Sequence, residues 1–185
     1  MTSPSSATRR QFLRQSGKCL LAGALFPLVS PLHAALPHNA RRLHFEHLHT
    51  EERLSLVYAI GNNYLPAAIQ ALDHFLRDHY SQEVGHIDPR LFDLLYHTQQ
   101  VLGSQQTFQV ISGFRSPATN HQLRENGGGV AKNSLHMLGQ AIDIRLAEVP
   151  LSDLREAAMS LKAGGVGCYP LEQFVHLDTG KVRYW

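Results

Sequence analysis

The chain has 185 residues, 43% hydrophobic and 17% charged, with 12 histidines and two cysteines. That is enough apolar chain for one domain with a real core, and it excludes both intrinsic disorder and a disulfide scaffold. The formal charge of +2 conceals an asymmetry: Arg9, Arg10, Arg14 and Lys18 lie in residues 1–34 without a single acid, so the remainder carries a net −2 and excludes a non-specific nucleic-acid binder.

The N-terminus reads Thr8-Arg9-Arg10-Gln11-Phe12-Leu13-Arg14, then an apolar stretch from Cys19 to Val29, then Leu32-His33-Ala34-Ala35. A basic segment, a short apolar run and small residues describe a secretory signal cleaved after Ala34 or Ala35. The paired arginines before Phe-Leu resemble the twin-arginine export signal, which places the mature chain in the periplasm. The apolar run is too short to span a bilayer, so no membrane span is expected after cleavage. Cys19 leaves with the signal, and Cys168 is expected as a semi-buried packing residue.

Downstream, alternation from Leu43 to Ile60 predicts a hairpin of two half-buried strands broken at Gly61-Asn62-Asn63. Helical spacing of Ile69, Leu72, Phe75 and Leu76 predicts a helix over 66–79, and Asp88-Pro89 opens another that runs to Leu102. Phe108–Ser112 reads as a short central strand, Thr119–Arg124 as a short helix and Gly127–Gly129 as a flexible loop. Ala141–Leu146 is a strand by alternation and branching. Ser152-Asp153 are expected to cap a helix to Lys162, ended by Gly164-Gly165. Val166–Tyr169 and Phe174–Asp178 complete the strands. Helices early and strands late predict a single α+β domain, with the hairpin and helices packed on a small, mostly antiparallel sheet.

Three histidine-rich neighbourhoods stand out. His44, His47 and His49 in the hairpin read as exposed strand histidines, with His47 and His49 on one face. His74, His79, His86 and His97 read as partly exposed positions without a ligand role. Ser134-Leu135-His136-Met137-Leu138-Gly139-Gln140-Ala141-Ile142-Asp143 is different. Gly139 permits a tight turn that lets His136 and Asp143 face one point, and Asp143 stands in an apolar strand where a carboxylate is costly unless paired or metal-bound. In Phe174-Val175-His176-Leu177-Asp178, His176 and Asp178 share the face opposite Val175 and Leu177. Two imidazoles and a carboxylate suit a catalytic zinc site with an open fourth position. On spacing alone, a core histidine beside an ion-paired aspartate is the favoured account of the pattern.

Ile111-Ser112-Gly113-Phe114-Arg115-Ser116-Pro117, Val130 through His136 and on to Asp143, Gly164-Gly165-Val166-Gly167, Phe174 through Gly180 and Val182-Arg183-Tyr184-Trp185 together resemble the YcbK-like (MepK) murein endopeptidases. These group with the zinc D-Ala-D-Ala carboxypeptidases and their lysostaphin-like relatives, and the likeness covers residues 43–185. The resemblance implies a periplasmic zinc peptidase acting on peptidoglycan stem peptides, at cross-links between two meso-diaminopimelate residues. It implies one Zn2+ on His136, Asp143 and His176, with Arg115 binding substrate and stabilising the oxyanion, and Ser134 bonding within the site. Relatives place an acid three residues before the last histidine, where this chain has Gln173. The expected general base is therefore Asp178, on the face of His176, with Glu172 as the alternative and orientation of His176 as the other role open to Asp178. Rival readings are a D-Ala-D-Ala type carboxypeptidase, a peptidoglycan-binding module without catalysis, and a periplasmic zinc chaperone using the N-terminal histidines.

Overall fold

The computed structural model describes residues 37–127 and 129–185. The export signal expected over residues 1–34 lies outside the described residues. Among the described residues no helix is long and apolar enough to cross a membrane.

The hairpin forms as its alternation predicts. Strands β1 (Ala40–His47) and β2 (Arg53–Ile60) pair antiparallel, with Leu43 and Phe45 buried on the inner face. A two-residue strand β3 (Asn63–Tyr64) extends it at the edge. Helix α1 (Pro66–Phe75) is shorter than the span 66–79. The Leu76 carbonyl accepts the Phe114 N–H, and the Arg77 guanidinium bonds the His74 carbonyl, so both groups are diverted from continuing the helix. Helix α2 (Pro89–Leu102) begins where Asp88-Pro89 places it: the Asp88 carboxylate accepts the Arg90 N–H, and Gly103 closes the far end at φ +60°.

Strand β4 (Phe108–Ser112) is followed by α3 (Pro117–Glu125), which starts two residues ahead of the predicted span because Ser116 caps it, accepting the Thr119 N–H, and Pro117 fills its first turn. After a one-turn 3-10 helix (Leu135–Leu138) come β5 (Ala141–Leu146) and α4 (Leu151–Ser160). The expected Ser152-Asp153 cap is a correction: Pro150 takes the N-cap position without a side-chain bond, and the Ser152 hydroxyl turns to the Asp153 carboxylate. Strands β6 (Gly165–Tyr169), β7 (Phe174–Asp178) and β8 (Arg183–Tyr184) close the chain.

All eight strands join one sheet in the order β3-β2-β1-β4-β5-β7-β6-β8, antiparallel except for β1·β4 and β6·β8. The chain is thus an α+β domain with a mostly antiparallel sheet. Apolar side chains of one sheet face, among them Phe45, Phe108, Ile142, Ile144, Val175 and Leu177, meet Leu72, Leu91, Phe92, Leu95 and Leu154 from the helices in a single core. Each such side chain stabilises the fold by about 1.5–3 kcal/mol relative to exposure. The other face of β4, β5, β7 and β6 is left for a cleft.

Candidate metal centre

The site is a row across that second face. Register sets Ser112 beside Asp143, Asp143 beside His176 and His176 beside Gly167, on four successive strands. Each residue in the row has the size or polarity its place requires. Ser112 accepts a bond from Arg115 Nη2 at 3.3 Å, and a Cβ on Gly167 would collide with the Trp185 indole.

His136 enters from above on the 3-10 turn. Ser134 caps that turn, its hydroxyl accepting the His136 N–H at 3.3 Å, and Gly139 ends it at φ +64°. A side chain at Gly139 would overlap the His86 carbonyl oxygen, so glycine is required both by conformation and by space. The turn that spacing predicts between His136 and Asp143 is therefore present, and it brings the two together.

His136 Nε2 lies 3.2 Å from Asp143 Oδ2, and His176 Nδ1 lies 2.8 Å from Asp143 Oδ1. The two ring nitrogens are 3.3 Å apart. These three residues are the one group of three or more histidine, cysteine or acidic side chains, among the described residues, whose ligand atoms gather, all within 4.8 Å of one another. Each imidazole is fixed from behind: His136 Nδ1–H donates to the Gly113 carbonyl at 2.7 Å, and His176 Nε2–H donates to Asp178 Oδ2 at 3.1 Å. That leaves one nitrogen on each ring directed at the other ring and at the carboxylate. Two imidazole nitrogens and a carboxylate gathered this closely need a proton or a metal cation among them, and the donor set fits a divalent ion such as zinc.

The electrostatics agree. Burial disfavours charge on His176, but its hydrogen bonds to Asp143 and Asp178 and their negative charges push it up to about 9. Burial would raise the Asp143 carboxyl, yet the His136 charge and bonds from both imidazoles hold it well below the usual carboxylate range. The three groups together demand positive charge at their centre.

Arg115 is nearly buried beside the row, its guanidinium 3.9 Å from Asp143 Oδ2. Asp78 holds its loop by accepting the Ser116 N–H at 2.9 Å, and hydrogen bonds from this loop outweigh burial and bring the Asp78 carboxyl to about 2. Asp178 sits behind His176, fully buried. Its Oδ1 accepts from Gly165 N, Gly180 N and Arg183 Nη1, while Oδ2 accepts from His176 and Arg183 Nη2 at 2.7 Å. These bonds outweigh burial and hold it well below the usual carboxylate range.

His136, Asp143, His176, Arg115 and Ser134 all line a cleft of about 630 Å³. Glu172, on the turn between β6 and β7, lines it as well; Asp178 does not. The opposite wall carries side chains without a role in the sequence reading: His49 and His79, stacked face to face at 4.1 Å, and Tyr80 packed on His79. Arg183, Tyr169 and Trp185 line the cleft too, and Arg183 and Trp185 belong to the C-terminal segment in which the family resemblance lies.

The hairpin histidines need correction. His47 is fully buried, not exposed, because it continues the inward phase of Leu43 and Phe45. Its Nδ1 accepts the His49 N–H at 3.2 Å, and its ring packs edge-on to Phe75 and His79. Their nitrogens do not gather as a metal site does. Cys168 is free and half-buried, as expected.

The sequence model of the family described as Peptidoglycan L,D-endopeptidase MepK matches residues 35–185. The chain belongs to this family. It is 42% identical over 180 residues to Peptidoglycan L,D-endopeptidase MepK of Escherichia coli (strain K12), covering 97% of both chains, and equally so to the protein of that name from Shigella flexneri. A Haemophilus influenzae relative, "Probable peptidoglycan L,D-endopeptidase MepK", is 44% identical over 146 residues, 78% of either chain.

Proposed function

We propose that this chain is an exported, zinc-dependent peptidoglycan peptidase that hydrolyses amide bonds of stem-peptide cross-links, those between two meso-diaminopimelate residues. The observation that carries the reading is the convergence of His136 Nε2, Asp143 and His176 Nδ1 at the floor of an open cleft, each imidazole fixed from behind. Membership of a family whose relatives bear the name peptidoglycan L,D-endopeptidase supports the substrate. The arginine pair ahead of a short apolar run supports export to the periplasm by the twin-arginine route, with residues 1–34 removed.

His136, Asp143 and His176 would hold a zinc ion, which when bound would supply Lewis acidity toward a scissile carbonyl and lower the pKa of water to near 7. The protein supplies substrate binding, ligand orientation and stabilisation of the developing charge. Arg115, held by Ser112 and by the Asp78-anchored loop, presents a planar cation beside the ligands, where it binds a substrate carbonyl or carboxylate and stabilises the oxyanion of the tetrahedral state. Ser134 holds the His136 turn in place and faces the substrate cleft. For Asp178 we adopt the orienting role over that of general base. A carboxylate buried under His176 and filled by five donors keeps the imidazole in the tautomer that frees Nδ1, but has no site left to receive a proton.

Incubation of the mature protein with cross-linked murein and mass analysis of the fragments tests the reading. Cleavage that is abolished by chelation, restored by zinc and absent from His136→Ala is the expected result. Wild-type rates from His136→Ala would overturn it, and release of terminal D-alanine alone would make the chain a carboxypeptidase.

A further inference from the structure

The cleft has two unlike walls. Beyond the ligand row on the β6–β7 side stand three aromatic rings: Tyr169 and Phe174 stack at 4.6 Å, and the Trp185 indole lies 5.4 Å from the His176 ring. The indole is fixed rather than loose. Its Nε1–H donates to the Tyr169 hydroxyl at 2.8 Å, its backbone N–H and carbonyl pair with Val166 and Cys168 of β6, and Gly167 leaves the space it fills. Even so it is 47% exposed. An aromatic plate held in place with half its surface bare is prepared for a ligand, since no rotamer freedom is lost on contact.

The charge on this wall is negative. Glu172 stands on the turn that joins Tyr169 to Phe174, lines the cleft, and makes no hydrogen bond or ion pair among the described residues. Arg183, the cation nearby, is neutralised by both oxygens of Asp178 while its guanidinium packs at 5.0 Å on the indole, so the ring already accommodates positive charge. Across the cleft the charge is that of Arg115. An electron-rich aromatic corner closed by an unpaired carboxylate is the pattern that recognises an ammonium group.

We infer that Tyr169, Phe174, Trp185 and Glu172 form a subsite for a primary ammonium group on the substrate, opposite the carboxylate-binding Arg115. The inference rests on the peptidase reading for the claim that this ammonium belongs to a stem-peptide side chain. It also separates Glu172 from proton transfer. Phe174 is already about 6–7 Å along the strand from His176, and Glu172 lies beyond it at the hairpin tip. A substrate side chain reaches that point; a water at the ligands does not.

Trp185 is the only tryptophan in the chain and reports directly on the subsite. The zinc-loaded mature protein is titrated with Nα-acetyl-lysine, Nα,Nε-diacetyl-lysine and the disaccharide of N-acetylglucosamine, with tryptophan emission followed. Nα-acetyl-lysine gives a saturable change, the diacetyl compound and the disaccharide give none, and Glu172→Gln weakens the response about tenfold. An equal response to the diacetyl compound, or a response to the disaccharide alone, would overturn the ammonium subsite. Kinetics give an independent reading. On a cross-linked muropeptide with its amine free, Glu172→Gln raises KM with kcat retained, and on the N-acetylated muropeptide it changes neither. A fall in kcat on both would make Glu172 the base and overturn the inference. Emission changes as expected with no hydrolysis by the wild type would leave the subsite standing and remove the peptidase reading instead.

Discussion

His136 Nε2 and His176 Nδ1 face one another across 3.3 Å, with the Asp143 carboxylate in contact with both. The two come from a 3-10 turn and a strand, and each is set by a different partner on its far side. Asp143 draws both rings together, and the place where the three meet is where the proposed cation would sit. Loss of either ring is expected to lower hydrolysis on the order of 10³-fold or more, because activation of water and stabilisation of the carbonyl charge are lost together. Rates of murein cleavage for His136→Ala and His176→Ala, with bound zinc counted in each, check this.

Asp178→Asn separates orientation from proton transfer. If the carboxylate holds His176, the variant binds zinc about 10–100-fold more weakly and recovers its rate when zinc is in excess. A zinc titration of activity reads this out. A rate that stays depressed at saturating metal would instead return Asp178 to the role of base.

Gly139→Ala combines a left-handed φ with an overlap on the His86 carbonyl. A loss of at least about 2 kcal/mol of stability is expected, together with weaker metal binding, because the strained turn is the one that carries His136. Denaturant unfolding with and without zinc measures both effects. Gly103→Ala shares the positive φ but meets nothing within 4 Å, so it should cost about 1 kcal/mol and leave metal binding intact.

His47 makes stability depend on acid. Burial, and then the like charges of His79, His49 and Arg77 against the opposing pull of Glu52, bring its pKa down to about 4. Above about pH 6.5 the ring is neutral whether the chain is folded or not, and contributes no slope. Between about 6.5 and 4 the unfolded chain takes up a proton that the folded one refuses, so stability falls with pH, by about 2–3 kcal/mol for this residue. His79, brought to about 4 by burial and by His49, adds in the same direction. Urea unfolding at several pH values should show that slope, and His47→Asn, which keeps an acceptor for the His49 N–H, should flatten it.

The strands and the meeting of His136 with Asp143 were legible in the sequence because both are local: period-two alternation sets each strand face, and a glycine between His136 and Asp143 permits one turn, whereas spacing alone favoured a core histidine and the family resemblance pointed to a metal. His176 could be added because it shares a face with Asp178. What lay hidden depends on partners far along the chain. Whether Asp178 is free to act is decided by Gly165, which reaches it only once β6 lies beside β7, and by the fold of the turn after β7, which brings Gly180 N and the Arg183 guanidinium back onto the carboxylate. The aromatic wall likewise needs two pairings, β6 with β7 for the Tyr169–Phe174 stack and β6 with β8 to bring in Trp185. His47 is a different case. Its burial was written in phase with Leu43 and Phe45, and its polarity masked the pattern.

Asp88 carries one last consequence. Its carboxylate caps α2, its Oδ2 accepts the Thr179 hydroxyl at 2.8 Å, and its own N–H bonds the Gly139 carbonyl at 2.9 Å. The first turn of a core helix, the loop bearing one imidazole and the residue following the strand of the other are thus fastened at a single knot. With zinc on the trio as proposed, fraying of that helix would be felt as a loosened grip on the ion, so mutations that soften the scaffold are expected to surface first as a demand for more zinc, well before the chain unfolds.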